Sequence, residues 1–487
     1  MSPNVERDTW LDTSLPALLR QFVPERRWFA GRARTIDVVS IDDVVWLDES
    51  RCQAFLIIGV QYANGSRERY TLPLAFVGDP AGLPVIGRVT EDAWAVDAAT
   101  DAATVAALLT DLDAARERHA RRGGALRSAD ASEAARRALR ATSGLAIEPI
   151  GVEQSNTSLR IAQTFVFKLF RKLDDGENPE VEVSRFLTSR TTFRAMPALH
   201  GSLTYVPAHG RPSTVGVVQD WIQNVGDGWS YVLDELRKVR SGSSRDALIR
   251  QLNALGATTA HLHAALASDE SVPSFAPEPV SVLDAESWHR SMLERAWRTF
   301  DLIEWRMQAW PEESRVLAET LLRHRGVSLV DVPMAAKTSH FHKIRVHGDY
   351  HLGQTLKTSD GFVVIDFEGE PGRPLAQRRQ KTCALKDVAG MLRSFHYATE
   401  TVRGEAPNAD RGLPPDLLRA AFLEGYLSAA RGAAFLPGNH KAVEEWLRFF
   451  ELEKALYEVE YEIGHRPAWV HIPLRGIVDI LDAQRRN

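Results

Sequence analysis

His347-Gly348-Asp349-Tyr350-His351-Leu352-Gly353-Gln354, followed by Val363-Val364-Ile365-Asp366-Phe367-Glu368, decides how this chain is read. One aspartate stands alone in the first stretch, and an amide follows it five residues on. A second aspartate closes the apolar run 362–365. The turn letters Ser359-Asp360-Gly361 introduce that run, so it reads as a strand. Transfer of a phosphoryl group needs this set. One carboxylate orients a hydroxyl and takes its proton, while an amide oxygen and a second carboxylate hold a hard cation against phosphates. Asp349 is therefore the candidate base, and Gln354 and Asp366 are the candidate magnesium ligands. A turn between two strands, with His347 and Asp349 as local hydrogen-bonding residues, would use the same letters. The second aspartate behind a strand favours the chemical reading.

Protein kinases carry H-R-D-x-x-x-x-N and then D-F-G; this chain carries H-G-D-x-x-x-x-Q and then D-F-E. The groups that a kinase sets ahead of this loop can be sought in the same order. Between strand-like runs at 147–152 and 159–160 lies Glu153-Gln154-Ser155-Asn156-Thr157-Ser158. Ser155 and Asn156 of that small polar turn can meet phosphates through N–H and hydroxyl groups. The turn lacks glycine, and an ordinary hairpin explains it equally. In Phe165-Val166-Phe167-Lys168-Leu169-Phe170 a lysine sits among strand-forming apolar residues, where burial demands a partner. A kinase lysine of this kind holds the α- and β-phosphates and pairs with a helix glutamate. Glu180 and Glu182 open the next helix, and Glu182 lies further into it. An edge-strand lysine, with both glutamates favouring the helix N-terminus, is the alternative. Val215-Gly216-Val217-Val218-Gln219-Asp220-Trp221-Ile222 reads as a buried strand entering a connector, which puts Gln219 where a hinge would meet adenine. Loop, lysine, glutamate, hinge, base and metal aspartate follow one another in kinase order, and ATP with magnesium is the implied cofactor pair.

Composition narrows the class. A chain of 487 residues has room for two to four domains. Its 44% hydrophobic and 25% charged content is that of an ordinary soluble protein. A net charge of −5 gives no reason to expect nucleic acid as a partner. Cys52 and Cys383 make neither a disulfide framework nor a metal cluster and suit a reducing compartment. Residues 1–10 are too polar for a secretory signal, and no apolar run nears the roughly 20 residues of a bilayer span. A cytoplasmic chain with no membrane partner is expected.

Four segments follow from the patterns. Residues 1–90 read as a small α+β domain, with a helix at 15–20 and strands at 38–41, 54–62 and 69–76. Residues 91–144 read as a helical linker segment, with a helix at 102–115 and a mobile link at 121–130 around Gly123-Gly124. Residues 145–222 supply the strands of a nucleotide-binding lobe. Residues 223–487 are mainly helical and hold the catalytic loop. Inside them, 268–280 is a proline-rich loop, and the basic stretch 373–381 is expected to be a solvated loop, with an approach to phosphates as the alternative.

The chain resembles bacterial maltokinases, including those fused to or found beside trehalose synthase. The resemblance lies in Arg26-Arg27-Trp28-Phe29-Ala30-Gly31, Asn178-Pro179-Glu180, Gly226-Asp227-Gly228-Trp229 and the block 347–397. Asp366-Phe367-Glu368-Gly369-Glu370-Pro371 and Asp387-Val388-Ala389-Gly390-Met391-Leu392-Arg393-Ser394-Phe395 are its most distinctive parts. Tyr457-Glu458, Tyr461-Glu462, Arg466-Pro467 and Ile472-Pro473-Leu474-Arg475-Gly476 extend it, so that only about 115–145 is unanchored. The resemblance implies an α+β chain with a bilobal protein kinase-like (aminoglycoside phosphotransferase-like) fold behind an N-terminal α+β cap domain. It implies ATP-dependent phosphorylation of the anomeric hydroxyl of maltose, giving maltose 1-phosphate for α-glucan synthesis. Asp349 would be the base, Gln354 and Asp366 the magnesium ligands, and Lys168 a phosphate ligand. It also raises association with trehalose synthase as an expectation to test.

The C-terminal half suits a sugar acceptor, since aromatic rings cover apolar sugar faces and carboxylates accept from hydroxyls. Tyr457 and Tyr461, like Glu458 and Glu462, recur at i and i+4, and each pair shares a helical face. Glu458, Tyr461 and Glu462 are candidate acceptor residues, with His351 just past the catalytic aspartate. Tyrosines packed in a helix interface, with glutamates on a solvated face, would give the same spacing. Actinobacterial glucosamine kinases resemble maltokinases, and in that rival reading Glu458 or Glu462 meets the substrate ammonium. A pseudokinase docked on trehalose synthase is a third reading, against which the intact Lys168, Asp349, Gln354 and Asp366 stand.

Overall fold

The computed structural model describes residues 3–114, 117–140, 146–151, 155–325, 340–405 and 413–486. The chain divides into two compact units, one of residues 1–188 and 197–222, the other of residues 189–196 and 223–487.

The first unit opens with helices α1 (Pro3–Thr13) and α2 (Leu15–Phe22). Strands β1 (Ile36–Trp46), β2 (Gln53–Tyr62), β3 (Arg67–Val77), β4 (Val85–Thr90) and β5 (Ala93–Asp97) then form a sheet in the order β1-β2-β3-β5-β4. The strand runs expected at 38–41, 54–62 and 69–76 all lie inside it. β2 sets the layering, because it is buried at every position from Ala54 to Val60. Such a strand is covered on both faces. Ala54, Leu56 and Ile58 share one core with Leu15, Leu19 and Trp28. Phe55 and Ile57 face the other way. They belong to a second core with Leu108, Leu112, Phe167 and Leu203.

That second core is built by α3 (Ala102–Ala114) and a further antiparallel sheet. Its strands are β6 (Glu117–His119), β7 (Ala125–Ala129), then, after α4 (Glu133–Arg140), β8 (Ile147–Pro149), β9 (Asn156–Ile161) and β10 (Phe165–Phe170). The short β11 (Lys172–Leu173), α5 (Pro179–Arg190), β12 (Leu199–Val206) and β13 (Ser213–Asp220) complete the unit. The sheet order is β6-β7-β12-β13-β10-β9-β8. The stretch 121–130 is not the mobile link expected of it. Gly123, at φ +87°, turns a hairpin, and Ala125 and Leu126 are buried in β7, which pairs with β12. Two adjacent glycines served a tight turn here, not a tether.

The two sheets are joined directly behind β10. β11 pairs with Arg69 and Tyr70 of β3, and Thr71 donates from N to the Arg171 carbonyl at 2.8 Å and from Oγ1 to the Phe170 carbonyl at 2.8 Å. Arg171 itself is fully buried. Its guanidinium pairs with Asp97 at the end of β5, with Nη1 to Oδ1 at 3.2 Å, and lies 4.3 Å from the Trp28 ring.

The second unit is helical. α6 (Gly228–Arg240) starts where the Asp227 carboxylate caps it, accepting from Ser230 N at 2.7 Å. α7 (Asp246–Leu266), β14 (Glu278–Pro279), α8 (Val282–Arg306) and α9 (Glu312–Leu322) follow. After β15 (His342–Lys343) come the hairpin β16 (Thr355–Lys357) and β17 (Phe362–Val364), then α10 (Leu375–Arg378), α11 (Leu385–Gly404), α12 (Pro415–Ala429), α13 (His440–His465) and α14 (His471–Arg486). α11 is buried almost all round and packs against α13. α7 and α12 touch backbone to backbone. A Cβ at Gly256 would lie 2.0 Å from the Phe422 carbonyl oxygen, and one at Gly425 would lie 1.9 Å from that of Asn253, so only glycine fits either place. Among the described residues no helix is long and apolar enough to cross a membrane.

Removing one partner of a buried ion pair strands the other charge and costs about 3–5 kcal/mol. Arg171→Ala should therefore lower the midpoint of the first urea unfolding transition by the equivalent of about 3 kcal/mol or more. A loss below about 1 kcal/mol would mean that the Arg171–Asp97–Trp28 contact does not hold the seam.

Candidate active site

The loop that decided the sequence reading is fixed by one carboxylate. Asp387, in the first turn of α11, is fully buried. It accepts from the backbone N–H of His347 at 2.7 Å and of Gly348 at 2.9 Å, and it meets His263 Nε2 at 3.2 Å. Burial opposes its charge, yet the His263 hydrogen bond and the nearby histidines hold its pKa below the ordinary value. His263 is oriented in turn by the Tyr426 hydroxyl at 2.9 Å from Nδ1. Gly348 takes φ +87°, a left-handed conformation that suits glycine. Beyond it, Leu352 N donates to Ser394 Oγ at 3.2 Å, and Gly390 leaves room for the Tyr350 carbonyl, which a Cβ there would meet at 2.5 Å.

The two candidate metal ligands are brought together by the same loop. Ile365 N donates to the Gln354 carbonyl at 3.0 Å, extending the β16–β17 pairing and setting Gln354 beside Asp366. His347 Nε2 lies 2.8 Å from the Ile365 carbonyl and ties the catalytic loop to that strand end. Asp366 has φ +67°, an uncommon conformation for a non-glycine residue. An amide oxygen and a carboxylate from neighbouring backbone positions are donor types that suit a hard divalent cation. No group of three His, Cys, Asp or Glu residues suited to a metal occurs among the described residues.

Asp349 faces a pocket in the second unit lined by Arg295, Glu370, Arg373, Lys386, Glu453, Lys454 and Tyr457. Lys454 Nζ donates to Asp349 Oδ1 at 2.8 Å. Burial pushes the Asp349 pKa up, but Lys454, with His351 and His347, brings it down to about 2. His351 accepts from Gly353 N at Nδ1, 3.1 Å, and burial with the nearby cations lowers its pKa to about 4. At neutral pH it is thus an uncharged ring carrying its proton on Nε2. Each carboxylate of the pocket has a cationic or imidazole partner. Glu453 meets Lys386 and Arg373, each at 3.1 Å, and Glu370 accepts from Arg373 Nε at 2.8 Å. Burial works against the Glu453 charge, but Lys386 and Arg373 draw its pKa to about 2. Arg373 thus belongs to the pocket wall and not to a solvated loop, because the buried Glu370 and the partly buried Glu453 both claim it.

The remaining expected acceptor residues lie elsewhere on α13. Glu458 is buried and takes Arg393 Nε at 2.9 Å and Nη2 at 2.7 Å. Glu462 is buried against the Tyr397 hydroxyl at 3.2 Å and Arg466 Nη2 at 2.7 Å. Neither stands on a solvated face. Tyr461 is 40% exposed and stacks on His465 at 4.3 Å. Tyr457 is the member of that row that reaches the pocket. Lys454 and Arg295 were missed. Lys454 sits one turn ahead of Tyr457 and Glu458, but no motif tied it to an aspartate 105 residues away in the chain.

In the first unit, Lys168 lies in β10 between Ser158 of β9 and Val217 of β13. Glu180 and Glu182 are both buried in the first turn of α5. Gln219, expected at the hinge, uses its side-chain amide inside the unit, donating to Glu180 Oε1 at 2.9 Å and Ser184 Oγ at 2.9 Å. Ser155 is exposed at a bend, and Asn156 begins β9 opposite Phe170. Glu153 and Gln154 of the expected phosphate turn lie outside the described residues.

A lone aspartate on an anchored loop, followed by an amide and a strand-end aspartate, is an arrangement suited to phosphoryl transfer. Residues 146–369 match the phosphotransferase enzyme family, and residues 22–101 match the maltokinase N-terminal cap domain. The two matches fall on different parts of the chain, the cap match ahead of the phosphotransferase match. The chain is similar to glucosamine kinase of Mycolicibacterium smegmatis, 27% identical over 344 residues, which are 69% of this chain and 79% of that protein. It is also similar to glucosamine kinase of Streptacidiphilus jiangxiensis, 28% identical over 345 residues, 69% of this chain and 74% of that protein. Among solved structures, a glucosamine kinase crystal form aligns with TM-score 0.67 at 22% identity, over 100% of this chain and 99% of that one. A glucosamine kinase in complex with glucosamine, ADP and inorganic phosphate aligns with TM-score 0.64 at 23% identity, over 99% of this chain and 100% of that one. At these identities the structures establish the fold.

The Asp349 environment has a pH signature. A carboxylate near pKa 3.9 in the unfolded chain and about 2 in the fold adds stability above about pH 4, lost as pH falls towards 2. Wild type should exceed Asp349→Asn by about 2 kcal/mol at pH 6, and the gap should close towards pH 2. Urea unfolding of both proteins across that range measures it; a gap independent of pH would remove Asp349 as its source.

Proposed function

We propose that this chain is a cytoplasmic sugar kinase that transfers the γ-phosphate of ATP to the anomeric hydroxyl of maltose, giving maltose 1-phosphate for α-glucan synthesis. The observation that carries the reading is the pocket at Asp349, where every lining carboxylate already has a cationic or imidazole partner. A pocket of compensated charges offers hydrogen bonds to hydroxyls but no unneutralised carboxylate for an ammonium group. The cap points the same way, since its family model is that of maltokinases. The runner-up is a glucosamine kinase, favoured by the relatives that match along most of the chain. In that reading Glu458 or Glu462 was to meet the amine, but Arg393 and Arg466 occupy them. Association with trehalose synthase rests on the family resemblance alone and stands as a proposal to test by pull-down.

The chemistry follows from the side chains. An ionised Asp349 accepts the acceptor hydroxyl and aims its oxygen at the γ-phosphorus. A pKa of about 2 makes it a weak base, which suffices in a loose transition state. Little proton transfer is needed until the new bond is advanced, and a hemiacetal hydroxyl is more acidic than other sugar hydroxyls. Lys168, with Glu182, serves the α- and β-phosphates, and Ser155 and Asn156 the phosphate turn. Gln354 and Asp366 would hold magnesium, which neutralises phosphate charge. His351, neutral with a proton on Nε2, is a donor for a sugar oxygen. A second glucose ring adds binding energy away from the reacting centre, which helps to position it.

An acceptor panel with ATP tests the reading: maltose, glucose, glucosamine and an aminoglycoside, with products identified by mass spectrometry and NMR. Maltose 1-phosphate is expected; glucosamine 6-phosphate from a clear preference for glucosamine would install the runner-up. Within the site, Asp349→Asn should lower kcat by about 1000-fold or more while ATP affinity stays within a few-fold. Asp366→Ala should raise the magnesium requirement more than Gln354→Ala, because a carboxylate binds a hard cation better than an amide. An unchanged magnesium response in both variants would place the cation elsewhere.

A further inference from the structure

Of the cations that line the pocket, Arg373 and Lys386 serve Glu370 and Glu453, and Arg295 reaches Glu460 at 2.9 Å. Lys454 differs. The carboxylate it serves is that of Asp349. Its side chain is 21% exposed and that of Asp349 16%, so both ions are largely withdrawn from water. A contact of 2.8 Å there is far stronger than the same contact at a surface. The ammonium has a second contact, since Nζ lies 4.8 Å from the Tyr457 ring one turn further along α13. Both residues belong to the second unit.

We propose that Lys454 is the positioning residue for Asp349, claiming Oδ1 so that Oδ2 alone faces the acceptor hydroxyl. The inference rests on the reading of Asp349 as the group that handles that hydroxyl. In the step, the acceptor oxygen forms a bond to the γ-phosphorus and the bond from that phosphorus to the β,γ-bridging oxygen breaks. Its electron pair leaves with ADP. The acceptor proton passes to Oδ2 and then to solvent. A carboxylate free to rotate would present either oxygen, and a small misplacement of a reacting group costs about 100-fold. Two residues past Asp349 stands His351, and the cation that meets the carboxylate comes instead from a helix about 100 residues downstream.

Lys454→Met keeps the stem and removes the ammonium; Lys454→Arg keeps a cation. With the best sugar acceptor of the wild-type full chain, Lys454→Met should lower kcat about 100-fold, with the KM for ATP within about twofold. Lys454→Arg should recover at least about tenfold of that loss. In an Asp349→Asn background the same Lys454→Met change should alter kcat by less than about twofold, because the residue acts through a carboxylate already removed. A kcat within about threefold of wild type in Lys454→Met overturns the proposal. So does an equal loss in both backgrounds, which marks a purely structural residue. If Lys454→Met does not fold, a folded Asp349→Asn/Lys454→Met double variant supports the pairing, and an unfolded one overturns it. A wild-type chain that phosphorylates no sugar fails before any variant is made, and that outcome overturns the functional reading beneath the proposal.

Discussion

The Asp387 carboxylate is the constraint on which the active loop depends. It receives two successive backbone N–H groups and an imidazole while shut off from water. Such a group is costly unless fully satisfied, and satisfied it leaves the loop one conformation. The positions of Asp349, Gln354 and Asp366 all descend from it, through His347 and the Ile365–Gln354 backbone pair. Helix packing supplies the third donor. His263 comes from α7 and is held by Tyr426 of α12, and those helices approach through Gly256 and Gly425. Two glycines remote from the chemistry thus help set the donor that completes the anchor.

What could be read from the sequence followed the range of the physics involved. β10 was legible to the residue, because Phe165-Val166-Phe167-Lys168-Leu169-Phe170 is a run of strand-forming apolar residues around one lysine. The candidate loop could be singled out because its groups lie within about 20 residues of each other. α13 was recognised as a helix, but not which of its faces met the site. Spacing puts Tyr457 and Glu458 one residue apart, hence about 100° round the helix, and only packing decides that the tyrosine lines the pocket while Arg393 takes the glutamate. Asp387 was quoted for family likeness without a role. The Gly123-Gly124 pair was misread because a hairpin turn and a flexible tether share their letters, and only the partner strand β12 separates them.

The acceptor pocket also shows why motif chemistry and specificity part company. The groups proposed to handle phosphate recur in kinase order along the chain. The groups that would handle the sugar come from α8, the loop before α10, α11 and α13, and are tied into ion pairs with one another. Changing one of them unbalances its partner, so acceptor choice in such a pocket shifts by coupled substitutions more readily than by single ones.

β2, buried on both faces, has a consequence for how the chain is made. Its Phe55–Ile57 side finishes its core with Phe167 and Leu203, more than 100 residues later. At roughly 5–20 residues per second of synthesis, that face waits for several seconds or longer behind little more than α3. A nascent chain in that interval presents a long apolar strand with an incomplete cover, which is the kind of surface that holdase chaperones bind and that self-associates when they are scarce. Slow elongation between about residue 110 and residue 200 would lengthen the exposure. Rare codons placed there would cost yield of folded protein, whereas the same codons after residue 220 would fall when the first unit already has all its strands.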